Sequence, residues 1–385
     1  MRASKRVQSI EPSPIRRIID LAESRPDIIG LHAGEPDFPT PSHIVDAATR
    51  ALQEGHTHYT HGAGMLELRE AISRKLLDEN GIDANPRIEI TVTAGGFAAA
   101  FAITQSMIDP GDEVIVLEPS WPSYAGFVRL AGGVPIPVPL RGPTFEPEVS
   151  ELRRHFNDRT KMIIVNSPNN PTGSVYPRSS LLDLAKLAKE RESLILSDEV
   201  YEKIVFDRNE HFSVASQSEL RDSIITVNSF SKTYAMTGWR IGYVVASESI
   251  STQIRKIHGY MVSCAPSSAQ EAAMEALSGS QDCVARMIDE YHRRRELIVA
   301  GLNEIDGFRC LAPKGTFYAF PDVSKMGIPS AKLAEELLEK IGVASIPGSA
   351  FGNAGEGYLR VSFAASQDSI QQALIRIKDW RQKRS

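Results

Sequence analysis

Between residues 88 and 245 the chain repeats one pattern. Short apolar runs, many of them β-branched, alternate with helical spacings, and a run is repeatedly followed by an unusual polar or glycine-bearing segment. Ile88 to Thr93 alternates, with Ile88, Ile90 and Val92 on one face. Val114–Leu117 and Met162–Val165 are continuous, and Leu194–Leu196, Ile224–Val227 and Ile241–Val245 complete the set. Runs of this kind, spaced by helices, predict buried and mostly parallel strands with helices on both faces of one sheet. Leu181, Leu182, Leu184, Ala185, Leu187 and Ala188 have the i, i+3, i+4 spacing of a crossover helix. The expected class is α/β. The apolar stretch from Ala94 to Ile108 is too short for a membrane span and reads as a buried core helix.

The C-terminal third differs. A long helical pattern covers about Asp282 to Leu302, with Val284, Met287, Ile288, Tyr291, Ile298 and Leu302 near one face. Phe317–Phe320, a helix near Ala331–Ile341, Val343–Ile346, Tyr358–Phe363 and a helix near Ser366–Gln382 follow. This mixture predicts a small α+β domain. The first forty residues, rich in Pro and Gly, are expected to pack with it. A chain of 385 residues fits two domains. The expected division is a large domain over residues 43–283 and a discontinuous small one over 1–42 and 284–385.

Composition narrows the function. With 43 Lys and Arg against 48 Asp and Glu, net charge is −5, so no basic excess points to nucleic acid or to an anionic membrane. Cys264, Cys283 and Cys310 are far apart and form no CxxC pair, which argues against a disulfide framework or a zinc site. A reduced, cytoplasmic protein is expected. His56, His58 and His61 fit no metal motif, and no metal site is expected.

Five segments follow five of the predicted strands: Gly95–Gly96, Trp121, Asn166–Gly173, Asp198–Glu199 and Ser229–Lys232. In open α/β sheets ligands bind outside the carboxyl ends of the strands, so all five should line one crevice. Gly95–Gly96 opens a helix whose free N–H groups favour an anion. Ser229 adds a hydroxyl, and Arg240 a planar fork suited to phosphate. Trp121 offers a flat face for an aromatic ring. Asn170 offers an amide donor, Asp198 a partner for a protonated ring nitrogen, and Lys232 an amine that can condense with an aldehyde. Phosphate, aromatic ring, basic ring nitrogen and aldehyde together describe pyridoxal 5′-phosphate.

The motifs Ala33–Phe38, Asn169–Gly173, Ser197–Tyr201, Ser229–Lys232, Met236–Gly242 and Tyr358–Phe363 resemble those of the class I/II aminotransferases. These are fold-type I enzymes of the aspartate aminotransferase superfamily. The resemblance covers nearly the whole chain. It implies a pyridoxal-phosphate-transferase-like large domain and transfer of an amino group between an L-amino acid and a 2-oxo acid by a ping-pong mechanism. It implies that Lys232 bonds the cofactor aldehyde and later moves the substrate proton. Asp198 is then the partner of the ring nitrogen, and Tyr201 and Asn170 are donors to the cofactor's phenolic oxygen. Trp121 stacks on the ring. Gly95, Gly96, the backbone of Phe97, Ser229 and Arg240 form the phosphate cup. Arg360 clamps the substrate carboxylate, and Gly34 approaches the substrate through its backbone. Tyr59 resembles a tyrosine that reaches the phosphate from a neighbouring subunit, which implies a homodimer with shared active sites.

Phe97 stands where one aspartate-using bacterial branch carries a lysine, so strict aspartate specificity is not expected. Phe97 either favours an apolar or aromatic substrate or fills space. His32 is expected to be structural. Other chemistries on the same scaffold are a carbon–sulfur lyase, or another elimination or replacement reaction, and a non-catalytic regulatory domain. The intact Lys232, Asp198 and Arg360 argue against the last, and a dinucleotide-binding dehydrogenase is disfavoured because no GxGxxG follows the first strand.

Overall fold

A computed structural model describes residues 3–8, 10, 14–23, 25 and 27–384. Residues 1, 2, 9, 11–13, 24, 26 and 385 of the expected small domain lie outside the described residues. The main sheet has seven strands in the spatial order Ile90–Thr93, Gly242–Val245, Ile224–Ser229, Leu194–Asp198, Thr160–Asn166, Glu113–Glu118, Val134–Pro139. Gly242–Val245 runs antiparallel to both its neighbours, and the other pairs are parallel.

Alternation along the strands builds two cores. Ile115, Leu117, Ile163, Val165 and Ile195 pack on one face with Leu181, Leu184 and Ala188 of the Arg178–Glu190 helix. Val114, Val116, Met162, Ile164 and Leu196 pack on the other. Their partners there are Ala99 and Ile103 of the Gly95–Met107 helix, Val128 of Ser123–Ala131 and Ile254 of Glu248–Val262. Each face is therefore covered by helices, as the runs of consecutive apolar residues require.

Two details differ from the expectation. The strand expected from Ile88 starts at Ile90, because the N–H groups of Ile88 and Glu89 both turn back to the Asn85 carbonyl. Val134–Pro139 is an unexpected strand at the sheet edge. Val134 and Leu140 donate to the carbonyls of Asp112 and Glu118, so the even positions face the neighbouring strand. Pro135, Pro137 and Pro139 alternate with them, and their missing N–H groups fall on the open edge, where proline is tolerated.

The C-terminal third carries a three-stranded antiparallel sheet, ordered Ile346–Pro347, Leu359–Ser362, Tyr318–Ala319. The run expected from Val343 to Ile346 breaks at Ser345: Val343–Ala344 instead pairs in parallel with Ile29–Gly30. The Leu31 N–H donates to Ala344, and the Ser362 N–H to Leu31. The N-terminal segment is thus stitched to the C-terminal third. The helices Asp282–Asn303, Ser330–Ile341 and Gln367–Gln382 match the expected ones to within one or two residues. Cys264, Cys283 and Cys310 are free thiols. Among the described residues, no helix is long and apolar enough to cross a membrane.

Candidate active site

A cavity of about 300 Å³ opens at the carboxyl ends of the central strands. Asn166 and Asp198 are level with each other in register, each the last residue of its strand. Gly34, Gly96, Phe97, Trp121 and Asn170 line the cavity, as do Asp198, Tyr201, Ser229, Lys232, Arg240 and Arg360. Gly95 flanks it. A second cavity of about 100 Å³, bordered by Phe145, Arg309, Lys314 and Tyr358, takes in Thr172 and Gly173 from the end of the Asn166–Gly173 segment and none of the residues given an individual role.

The anion-binding end is built from backbone. Gly95 begins the Gly95–Met107 helix with φ of +86°, a conformation costly for any residue with a Cβ. A Cβ there would lie 2.6 Å from a terminal nitrogen of Arg240. Gly96 has only ordinary contacts in the place of a Cβ, so Gly95 carries the steric demand. Arg240, itself at φ +52°, is exposed and fixed by a 2.9 Å bond to the Thr237 carbonyl. Ser229 caps the Phe230–Thr233 helix by accepting from the Ser231 N–H, and its hydroxyl reaches Ser231 Oγ at 2.9 Å.

Lys232 lies on that short helix, and its Nζ donates to the Gly34 carbonyl at 2.5 Å. Some of its surface faces the cavity, yet the surrounding protein pushes the ammonium pKa down to about 8. Burial is the main cause. Glu35 opposes it, while Arg360 and Arg240 reinforce it. Asp198 is 6% exposed and accepts from the Tyr124 hydroxyl at 2.6 Å and from the Val200 N–H at 3.2 Å. Burial outweighs these bonds and pushes its pKa up to about 6.

Arg360 projects from the Leu359–Ser362 strand and is buried. Its terminal nitrogens donate to Asn170 Oδ1 at 3.0 Å and to the His32 carbonyl at 2.8 Å, while its buried Nε has no acceptor among the described residues. Because Asn170 Oδ1 is engaged, the amide nitrogen is the part of that side chain left to donate elsewhere. Phe97 is half exposed and packs edge-on against Trp121 and Phe127. Tyr59 is 87% exposed and does not line the cavity of its own chain. Nearby, His56 pairs with Glu271, and His61 accepts from the Ala63 N–H. The ligand-type atoms of Glu199, Glu202 and His211 lie within 4.8 Å of one another. Lys75 and Asn80 already bind Glu202, and Ser197, Ser213 and His211 bind Glu199, so this cluster is a buried ion network.

Several residues at the site were not expected from the sequence. Tyr124, on the Ser123–Ala131 helix, holds Asp198. Tyr318 meets Tyr201 hydroxyl to hydroxyl at 2.9 Å. His258, fully buried, accepts the Ala94 N–H through Nε2, one residue before Gly95. Ile15 and Ile19 also line the cavity, as do Asn166 and Ser231, which lie within the expected segments. The one sequence signal for Tyr124 was its position one helical turn after Trp121.

These residues fit pyridoxal 5′-phosphate. A glycine too crowded for a Cβ lies beside an arginine at one end. A buried carboxylate and a primary amine of lowered pKa stand further in, and a buried arginine N–H has no acceptor among the described residues. The comparisons with known proteins agree. The family model described as aminotransferase class I and II matches residues 26–377. An aspartate aminotransferase of Pyrococcus abyssi is 42% identical over 381 residues, covering 98% of each chain. An aromatic-amino-acid aminotransferase of Thermococcus litoralis is 40% identical over 381 residues, again covering 98% of each. The solved structure of the aspartate aminotransferase from Thermus thermophilus with maleate superposes with a TM-score of 0.94 at 41% identity, covering 98% of this chain and all of the other (100%). The chain belongs to the class I and II aminotransferases and is a pyridoxal-phosphate-dependent aminotransferase.

Proposed function

We propose that this cavity transfers an amino group from an L-amino acid to a 2-oxo acid, with Lys232 moving the proton. The observation that carries this is the convergence of Lys232, Asp198 and Arg360 on one cavity, from three separate elements. When bound, pyridoxal phosphate supplies an electrophilic carbon and an electron sink that acidifies the Cα–H of the amino acid. Gly95, Gly96, the Phe97 backbone, Ser229 and Arg240 would hold its phosphate. Asp198, kept in place by Tyr124, would hold a proton on the ring nitrogen. Tyr201 and the Asn170 amide would donate to the phenolic oxygen, and Trp121 would cover the ring. Arg360 would grip the substrate carboxylate, with Gly34 alongside, so that the Cα–H faces Lys232. The neutral amine of Lys232 would take that proton and return one on the other side of the exchange. Its low pKa keeps the amine available for both steps.

The substrate side chain would lie toward Phe97, Ile15 and Ile19. Among the described residues, the Lys and Arg side chains lining the cavity are Lys232, Arg240 and Arg360, each with a role above. An uncharged side chain suits this region. We further propose a large domain over residues 43–283, a small one over 1–42 and 284–385, and a cytoplasmic homodimer. Tyr59 in that dimer would serve the partner's phosphate. Its exposure, together with that of Tyr260 and Val262 just before Ser263, whose carbonyl lies near Gly62 of the Tyr59 loop, supports a second copy covering this face.

Borohydride reduction of the holoenzyme followed by peptide mass mapping tests the reading. The cofactor mass should appear on the peptide holding Lys232. Its appearance on a different lysine would overturn the assignment.

A further inference from the structure

Tyr318 lies where two parts of the site meet. Its ring is under the Arg360 guanidinium, at 4.3 Å, and its hydroxyl is 2.9 Å from that of Tyr201. The side chain is 1% exposed. It is pinned from several sides: its N–H donates to Thr316 Oγ1, its backbone pairs with Ser362, and its hydroxyl lies 3.2 Å from where a Gly34 Cβ would be. Burial pushes the pKa of both Tyr201 and Tyr318 up, so both hydroxyls keep their protons at neutral pH.

Each hydroxyl has a single proton to give. If Tyr201 donates its proton to the cofactor's phenolic oxygen, the 2.9 Å contact needs the proton of Tyr318. The only self-consistent chain then runs from Tyr318 to Tyr201 to the ligand. Serial donation polarises the middle hydroxyl and makes it a stronger donor. In the opposite arrangement Tyr201 would spend its proton on Tyr318 and present lone pairs to an oxygen anion.

We propose that Tyr318 is a positioning residue that fixes the Tyr201 proton toward the cofactor. The proposal rests on the reading of Tyr201 given above. Because the same ring underlies Arg360, Tyr318 ties the group that tunes the cofactor to the group that grips the substrate.

The test is the pH at which the absorbance of the bound cofactor changes, measured on holoenzyme without substrate. A weaker bond to the phenolic oxygen favours the protonated form and moves the midpoint up. Tyr318→Phe keeps the ring under Arg360 and should raise the midpoint by about half a unit, roughly a threefold change in proton affinity. Tyr201→Phe should raise it further. The double variant should titrate with Tyr201→Phe alone, since Tyr318 acts only through Tyr201. Tyr318→3-fluorotyrosine keeps the shape but donates more strongly, and should lower the midpoint. A wild-type midpoint in Tyr318→Phe, with Tyr201→Phe shifted, would overturn the proposal and leave the reading of Tyr201 standing. So would additive shifts in the double variant. A wild-type midpoint in Tyr201→Phe would instead remove the reading of Tyr201, and the proposal with it.

Discussion

Arg240 lies directly against Gly95: a Cβ on Gly95 would lie 2.6 Å from a terminal guanidinium nitrogen, so the arginine would have to shift. Both residues hold positive φ, +86° and +52°. Gly95→Ala therefore combines backbone strain of about 1–3 kcal/mol with displacement of the arginine. The dissociation constant for pyridoxal phosphate should rise by at least roughly tenfold, read from an absorbance titration of the cofactor-free protein. Wild-type affinity would show that Arg240 gives way without cost.

Lys232 should titrate near pH 8 in the cofactor-free protein, against 10.5 for an ordinary lysine. Burial disfavours its charged form, so the neutral, nucleophilic amine appears at lower pH. Rates of acylation at Lys232, followed by peptide mass, should climb through a midpoint near 8. A midpoint near 10.5 would mean that the side chain is well solvated.

Arg360→Lys should weaken substrate binding while leaving the cofactor in place. A lysine cannot reproduce the planar fork and would strand the Asn170 and His32 oxygens that Arg360 now serves. KM for the amino donor should rise about tenfold or more, with the cofactor spectrum nearly unchanged. Lost cofactor binding with normal KM would contradict this division of labour.

Outside the cavity lining, Lys75 and Glu202 form a buried ion pair completed by Asn80. Burial would neutralise both, but the mutual attraction wins: Glu202 is held down to about 2, and Lys75 is held above its ordinary value. For Glu202 the stability is present above the unfolded carboxylate range, near 4.5, and is lost as pH falls toward 2. For Lys75 it is present below about 10.5 and lost only on strong alkalinisation. Lys75→Met should cost about 3–5 kcal/mol in denaturant unfolding at pH 7, because it leaves a buried carboxylate unpaired. A smaller loss at pH 3 than at pH 7 should accompany it.

Some residues were legible because chain order already implies their position, whereas Gly34, Arg360 and Tyr59 were legible only through the family resemblance. Lys232, Asp198, Asn170 and Ser229 each end or closely follow an apolar run, and strands aligned in parallel bring such ends to one edge. The residues that stayed hidden are joined through pairs distant in sequence. Tyr124 meets Asp198 across 74 positions, Tyr318 meets Tyr201 across 117, and His258 meets Ala94 across 164. None sits in a spacing that signals its partner. The missed Val134–Pro139 strand has a different cause: its three prolines read as strand breakers, and only an edge position makes them harmless. Two stretches each expected as a single strand fared differently. Leu194–Leu196 lies within one strand, whereas Val343–Ile346 splits at Ser345, with Val343–Ala344 pairing to Ile29–Gly30 and Ile346–Pro347 to Leu359–Arg360.

A single half-reaction tests transamination at this site. Holoenzyme is mixed with one amino acid and no oxo acid, using aspartate, alanine, leucine, phenylalanine, arginine and cysteine in turn. Absorbance and released product are followed together. One equivalent of 2-oxo acid per active site should be released, then arrest, with the starting spectrum restored by added 2-oxo acid. Phenylalanine or leucine should react more readily than aspartate. Continuous release of pyruvate and ammonia from cysteine, with no arrest and no spectral reversal, would contradict transamination and assign the site to elimination.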